Sequence, residues 1–343
     1  MSIPLPLRFK GAPGSPYTRK MLALLRYRKI PYELLIGNHR EESSLPSPKV
    51  GLLPTFYLPN DAGEIEAVVD STPLIRRFEA AFGERYAIPS DPAVAFINYL
   101  VEDYGDEWLT KAMFHFRWYY EPDIEVAGKI LPRWQSLNAS DEELSQMDNF
   151  IRERQISRLY VVGSNDVTAP VIEDSYLRFL KIMDAIIEKQ TFIMGSRPGS
   201  ADFAVYAQLT QLAKFDPTPA AICLREAPRV YAWTDVVDDL SGLAVADDSF
   251  LTRGEARSAL GDLLAEIGRV YVPALLANAR ALQSGSDTME AEIDGREWTQ
   301  PAFPYQGKCL QWIREEYNAL ASEDRISVDS ILAGSGCEAL FGE

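Results

Sequence analysis

The chain has 343 residues, 47% hydrophobic and 24% charged, with a formal net charge of −16. Such a length predicts two domains or slightly more. The acidic balance excludes a phosphate-backbone binder, which needs clustered Lys and Arg, and no apolar run approaches the ~18 residues of a membrane span. No signal-peptide core precedes a small-residue cleavage site. Three widely spaced cysteines, Cys223, Cys309 and Cys337, suit a reducing cytoplasmic compartment with free buried thiols. Residues 1–29 break the acidic rule: they hold Arg8, Lys10, Arg19, Lys20, Arg26, Arg28 and Lys29 and no acidic side chain. That stretch reads as a locally positive corner suited to a small anion, with a transit peptide as the alternative.

In chain order, residues 4–10 predict a short strand bounded by Pro and Gly. Met21, Leu22, Leu24 and Leu25 make the stripe of a helix over 17–29, opened by Ser15 and Pro16 and stopped before Pro31. Residues 32–36 read as a strand, 37–50 as a loop, and 55–58 with 65–69 as a hairpin around NDAG. Ser71 is expected to cap a helix running to about Phe82. After the linker GERYAIPSDP, Asp91 and Pro92 stand as N-cap and first residue of another helix. The pattern from there to about 250 is helical throughout. Ser140…Glu143 and Thr252…Glu255 have capping-box spacing. The tail predicts a long helix from 253 to about 281, a hairpin turning at Asp294-Gly295, and a last helix from about 307 to 320.

Three turns carry the chemistry. Ser15 sits where a hydroxyl and a helix N-terminus can together stabilise a thiolate, lowering a bound thiol's pKa from about 8.5 towards neutrality; it reads equally as a plain N-cap. A cis bond at Leu53-Pro54 would present the backbone of Leu53 to an extended peptide, whereas a trans bond would make it an ordinary strand entrance. At Asp70-Ser71 a carboxylate and a helix N-terminus stand side by side, which fits a group that carries both an ammonium and a carboxylate.

The segments GAPGSPYTRKMLALLRYRKIPYELL, GLLPTFYLP and VVDSTPLIRRFEAAF, in this order and spacing, resemble the thioredoxin-like domain of glutathione transferases. SPYTRK is similar to the CPYC of glutaredoxins and to the opening of omega-like transferases, with Ser15 where their cysteine stands. Lacking a cysteine at 15 or 18, the site cannot run dithiol chemistry. It looks like serine-type transferases such as the zeta class, with Tyr17 and Thr18 as backup hydroxyls. The resemblance implies that Leu53 and Pro54 hold the cysteinyl part of glutathione and that Asp70 and Ser71 hold its γ-glutamyl part. Leu52 stands where the family usually has a basic or amide side chain, leaving Lys49 and His39 as candidates for the glycyl carboxylate.

MGSRPGSADFAVYAQL resembles the capping-box motif that starts the core helix of the family's C-terminal domain, with Asp202 as a structural cap bonding back to Gly199. Residues 102–123 concentrate Asp103, Glu107, Trp108, Lys111 and His115 on what reads as one helix face. The resemblance makes this the acceptor pocket, with His115 or a carboxylate as acid/base; core aromatics with a satisfied ion-pair network read as well. The carboxylate spacing matches no metal motif, so no metal is expected. Cys309 reads as core rather than nucleophile.

The expected fold is an α/β thioredoxin-like N-terminal domain (1–83), an all-α C-terminal domain (92–250) and an extra helix–hairpin–helix extension (251–343). The expected activity is glutathione transfer to a small hydrophobic or aromatic electrophile, a detoxifying conjugation, with ether cleavage or isomerisation as variants. The resemblance implies a homodimer, glutathione as co-substrate and no membrane partner. The alternative is a transferase-fold binding or scaffold protein, metaxin-like but without an anchor.

Overall fold

The computed structural model describes residues 3–36, 45–246 and 249–342. Four strands, β1 (Leu7–Lys10), β2 (Tyr32–Leu35), β3 (Thr55–Pro59) and β4 (Ile65–Val68), form a sheet in the order β2-β1-β3-β4. The β1/β2 pair is parallel, and the other two are antiparallel. β1 begins at Leu7 rather than residue 4 because Pro4 and Pro6 have no N–H to give a ladder. Phe9 pairs with Phe56 across the sheet and their rings stack at 4.4 Å, with Phe78 edge-on behind them. Helices α1 (Pro16–Arg28) and α2 (Ser71–Ala81) complete this thioredoxin-like unit.

The expected cap of α2 is corrected by one residue. Asp70, at φ 80°, is the N-cap, its side chain accepting from the Thr72 N–H, and Ser71 is the first helical residue. Ser71 still stands in the first turn, where backbone donors are free. The positive corner is also corrected, because most of its charges are spent internally. Lys20 lies between Glu102 and Asp106, Arg28 pairs with Glu79, Arg26 with Asp238, and Arg8 with Glu33.

The helical part comprises α3 (Pro92–Glu107), α4 (Leu109–Tyr119), α5 (Glu121–Gln135), α6 (Asp141–Ile156), α7 (Ala169–Lys189), α8 (Ser200–Leu209), α9 (Pro217–Glu226) and α10 (Pro228–Asp238). α8 is the hub, buried along its whole length. Gly105 of α3 lets the two helices touch: a Cβ there would stand 3.2 Å from Ala204 Cβ and from the Val205 nitrogen. The capping boxes at Ser140/Glu143 and Thr252/Glu255 both form.

The extension holds α11 (Arg253–Glu266), α12 (Val272–Ser284), the hairpin of β5 (Thr288–Ile293) and β6 (Arg296–Pro301), α13 (Pro304–Ala319) and α14 (Ser322–Leu332). A π-turn at Ile267–Tyr271 joins α11 to α12, where Pro273 removes a donor and crowds the preceding turn. Asp294 and Gly295 have φ of 54° and 72°, as a two-residue hairpin turn requires. The extension is built into the core along α3 and α4. Phe96 meets the rings of Tyr317 and Phe341, each at 5.8 Å, Trp108 meets Trp298 at 5.4 Å, and Tyr271 donates to Asp103. Among the described residues no helix is long and apolar enough to cross a membrane.

Candidate functional site

Two helix N-termini on the thioredoxin-like unit lie against α3, Tyr17 donating to the Asp106 carbonyl and Thr72 to Glu102. At the first, Ser15 is the N-cap of α1, accepting from the Thr18 N–H at 3.3 Å. Its hydroxyl donates to the Leu53 carbonyl at 3.2 Å, and Leu53-Pro54 is cis. The hydroxyl, the helix end and the exposed backbone of Leu53 thus converge on one point. The turn that delivers Ser15 is braced from the helical part, where Gln211 Nε2 donates to the Pro13 carbonyl and Arg117 Nη1 to that of Gly14, and from α1 itself, where Arg19 Nε donates to the Pro13 carbonyl, all at 3.2 Å. Arg117 is itself held 2.9 Å from the buried Asp216.

The two backup hydroxyls are committed elsewhere. Thr18 is fully buried and its oxygen accepts from the Ala12 N–H. Tyr17 donates to the Asp106 carbonyl at 2.8 Å, and burial, reinforced by Glu107, pushes its phenol well above the usual range. Of the three, only the Ser15 hydroxyl stands at the helix end beside the Leu53 carbonyl.

At the second helix end, Asp70 receives Thr72 N–H on one oxygen and the Tyr305 hydroxyl on the other, at 3.3 and 3.1 Å. Beneath it, Lys20 Nζ lies 3.2 Å from Ser71 Oγ, 2.8 Å from Glu102 and 2.5 Å from Asp106. Burial alone would discharge this lysine, but Asp106 and Glu102 outweigh it and hold its pKa above the ordinary value. Burial likewise opposes the charge on Glu102, yet Lys20 and Arg76 keep its carboxyl low. Asp106, under the same burial and beside Glu102, lies above the usual range. A fixed cation under Ser71 and a carboxylate at Asp70 with a spare lone pair on each oxygen suit a group bearing both charges.

The residues expected on one pocket face fan out, because the chain breaks at Trp108 between α3 and α4. Asp103 and Glu107 stay in α3, half-buried. Burial raises Asp103 to about 7 despite the Tyr271 hydroxyl it accepts from, and raises Glu107 well above the carboxylate range, with Asp103 and Asp106 adding to it. The other three turn inward. Trp108 donates to Ser175. Lys111 reaches the Val162 carbonyl, burial lowering it to about 8. His115 is fully buried between Ser164 at 2.8 Å and Glu173 at 3.2 Å. Lys49 is exposed, as is Leu52, and His39 lies outside the described residues. Asp202 accepts from the Gly199, Ile193 and Met194 N–H groups, a buried cap distant from the chemistry. Cys309 is buried, and burial pushes its thiol far up. Among the described residues no group of three or more His, Cys, Asp or Glu side chains is arranged to hold a metal.

Lys20, Gln211 and Tyr305 are the site's neighbours that motif reading misses. Lys20 carried a signal in retrospect: a lysine amid an otherwise apolar helical stripe faces inward and needs carboxylates there. Tyr305 carried none, since 235 residues separate it from Asp70.

The fold and the paired helix ends define a thioredoxin-like domain followed by an all-helical domain. Residues 10–86 match the family model for the glutathione S-transferase N-terminal domain, and residues 173–237 that for the glutathione S-transferase C-terminal domain. The chain thus carries matches to both domain models of the glutathione S-transferase family, in the family's order. Among solved structures it is similar to a glutathione S-transferase from Rhodospirillum rubrum, with 16% identity, 72% of this chain and 96% of that one covered, and a TM-score of 0.41. A Tau class enzyme from mango follows at 17%, 67%, 87% and 0.40 in the same measures. A family member from Pseudomonas fluorescens, solved with two glutathiones bound, gives 15%, 67%, 87% and 0.37. No curated protein matches the sequence.

Proposed function

We propose that the chain binds glutathione between the N-termini of α1 and α2 and activates its thiol for attack on a small hydrophobic or aromatic electrophile. The observation that carries this reading is the 3.2 Å contact between Ser15 Oγ and the Leu53 carbonyl at a cis-proline edge. When the cysteinyl backbone pairs with Leu53, the Ser15 proton turns from that carbonyl to the sulfur. The thiol proton leaves to solvent, the thiolate is held by the hydroxyl and the helix end, and its lone pair forms the new C–S bond as the acceptor's leaving group departs or its π-bond opens. Asp70 takes the γ-glutamyl ammonium and Ser71 its carboxylate. The setting proposed is the cytoplasm, where the three free buried thiols would stay reduced, and the assembly a homodimer, which a monomeric mass in sedimentation would reject.

The test compares Ser15→Ala with Ser71→Ala. Ser15→Ala is expected to lower kcat about a hundredfold while leaving glutathione affinity within several-fold. Ser71→Ala is expected to weaken glutathione about tenfold, the worth of a hydrogen bond to a charged group. Unchanged turnover in the first variant removes Ser15 from its role. A second reading, binding without turnover, is favoured by the inward burial of Trp108, Lys111 and His115, which leaves less acceptor-lining surface than expected. Glutathione binding with no product from a panel of aromatic electrophiles would select it.

A further inference from the structure

Asp70 is a non-glycine residue at φ 80° and ψ 114°, a backbone state that persists only where the surroundings hold it. Its local anchor is the Thr72 N–H at 3.3 Å; the other is the Tyr305 hydroxyl, 3.1 Å away and 235 residues along the chain. Tyr305 is the second residue of α13, which is not a mobile flap: Cys309, Leu310 and Ile313 of the same helix are buried in the main core. The Tyr305 ring is set edge-on to Trp312 at 6.0 Å, so the hydroxyl is delivered from a fixed base. A phenol has one proton to give, and here it goes to the Asp70 oxygen that no backbone group takes. Each carboxylate oxygen has a second lone pair, so the ammonium of a ligand can still bind.

We propose that Tyr305 of the carboxyl-terminal extension is a positioning residue for Asp70, aiming its carboxylate at the γ-glutamyl ammonium of glutathione. The role rests on the glutathione-binding reading above. It makes the extension part of the glutathione site, which the thioredoxin-like unit alone leaves incomplete. Burial, with Glu107 and Asp70 next, keeps the phenol protonated at any working pH, so the contact is always donor to carboxylate.

Calorimetric titration of glutathione into the full chain, with Tyr305→Phe, Asp70→Asn and the double variant, tests this. Asn keeps the N-cap and tolerates positive φ, and Phe keeps the ring, so matching circular dichroism and Tm are expected. Tyr305→Phe should raise the glutathione Kd about three- to tenfold, Asp70→Asn should raise it more, and the double variant should bind no worse than Asp70→Asn alone. A loose structural effect would instead make the two losses multiply, and that outcome, or equal or tighter binding in Tyr305→Phe, overturns the assignment while leaving the glutathione reading intact. A wild-type chain that does not bind glutathione removes both.

Discussion

The two ends of the site are each a helix N-terminus on the same small unit, yet they are held in different ways. The Ser15 end is braced through neutral carbonyls, those of Pro13 and Gly14, with the Arg117–Asp216 pair behind them. The Asp70–Ser71 end rests on a buried ion cluster, one lysine shared by two carboxylates, and on a hydroxyl from the extension. A backbone brace tolerates chemical change in the ligand beside it. A charged support fixes the electrostatics of the pocket and makes that end intolerant of substitution.

Removing the cation at each end is the largest perturbation. Lys20→Met leaves Glu102 and Asp106 buried without their partner and is expected to cost about 3–5 kcal/mol in denaturant unfolding. Arg117→Met strands only Asp216, so its loss should fall at or below the lower edge of that same range. Equal losses would show that the two ends are not supported differently. Next in size is a ligand-linked difference. With glutathione saturating, the stabilisation it adds through mass action should survive Arg117→Met and largely vanish in Lys20→Met.

A further effect is one of slope. Asp103, raised by burial to about 7 from an ordinary 3.8, binds a proton in the folded state that it releases on unfolding. Its contribution to stability is full below about pH 4 and is lost as pH rises through 7, at up to about 1.4 kcal/mol per pH unit. Glu102, held low by Lys20 and Arg76 against its burial, has the opposite sign and acts only at the acid end. Asp103→Asn keeps an acceptor for the Tyr271 hydroxyl and should flatten the decline of stability between pH 4 and 7 by up to one proton. An unchanged slope would place that proton elsewhere in the cluster.

Much of the thioredoxin-like unit is legible in the chain because its signals are local. Ser15 before Pro16, Pro54 at the strand entrance and Asp70-Ser71 before an amphipathic run each fix a backbone turn within four residues. Asp91-Pro92, the two capping boxes and Asp294-Gly295 are read the same way, and the structure forms all of them. Where reading fails, side-chain direction is the reason. The cap of α2 moves to Asp70 because a positive φ there frees its carboxylate for the Thr72 N–H. Asp103 to His115 were projected onto one face by assuming one straight helix, and past the break at Trp108 that residue, Lys111 and His115 lie in the core.

By itself the sequence determined most of the helices, strands and turns of the thioredoxin-like unit, that a hydroxyl and a carboxylate stand at its two helix ends, and the family that the order of these turns resembles. Those are properties of neighbouring residues and of backbone geometry. Only the tertiary structure decided what stands behind each cap: that Lys20 is spent on Glu102 and Asp106, that Arg117 and Gln211 brace the Ser15 turn, and that Tyr305 reaches Asp70. Such contacts join residues up to 235 positions apart, and their direction is set by how whole helices pack, which no local pattern encodes.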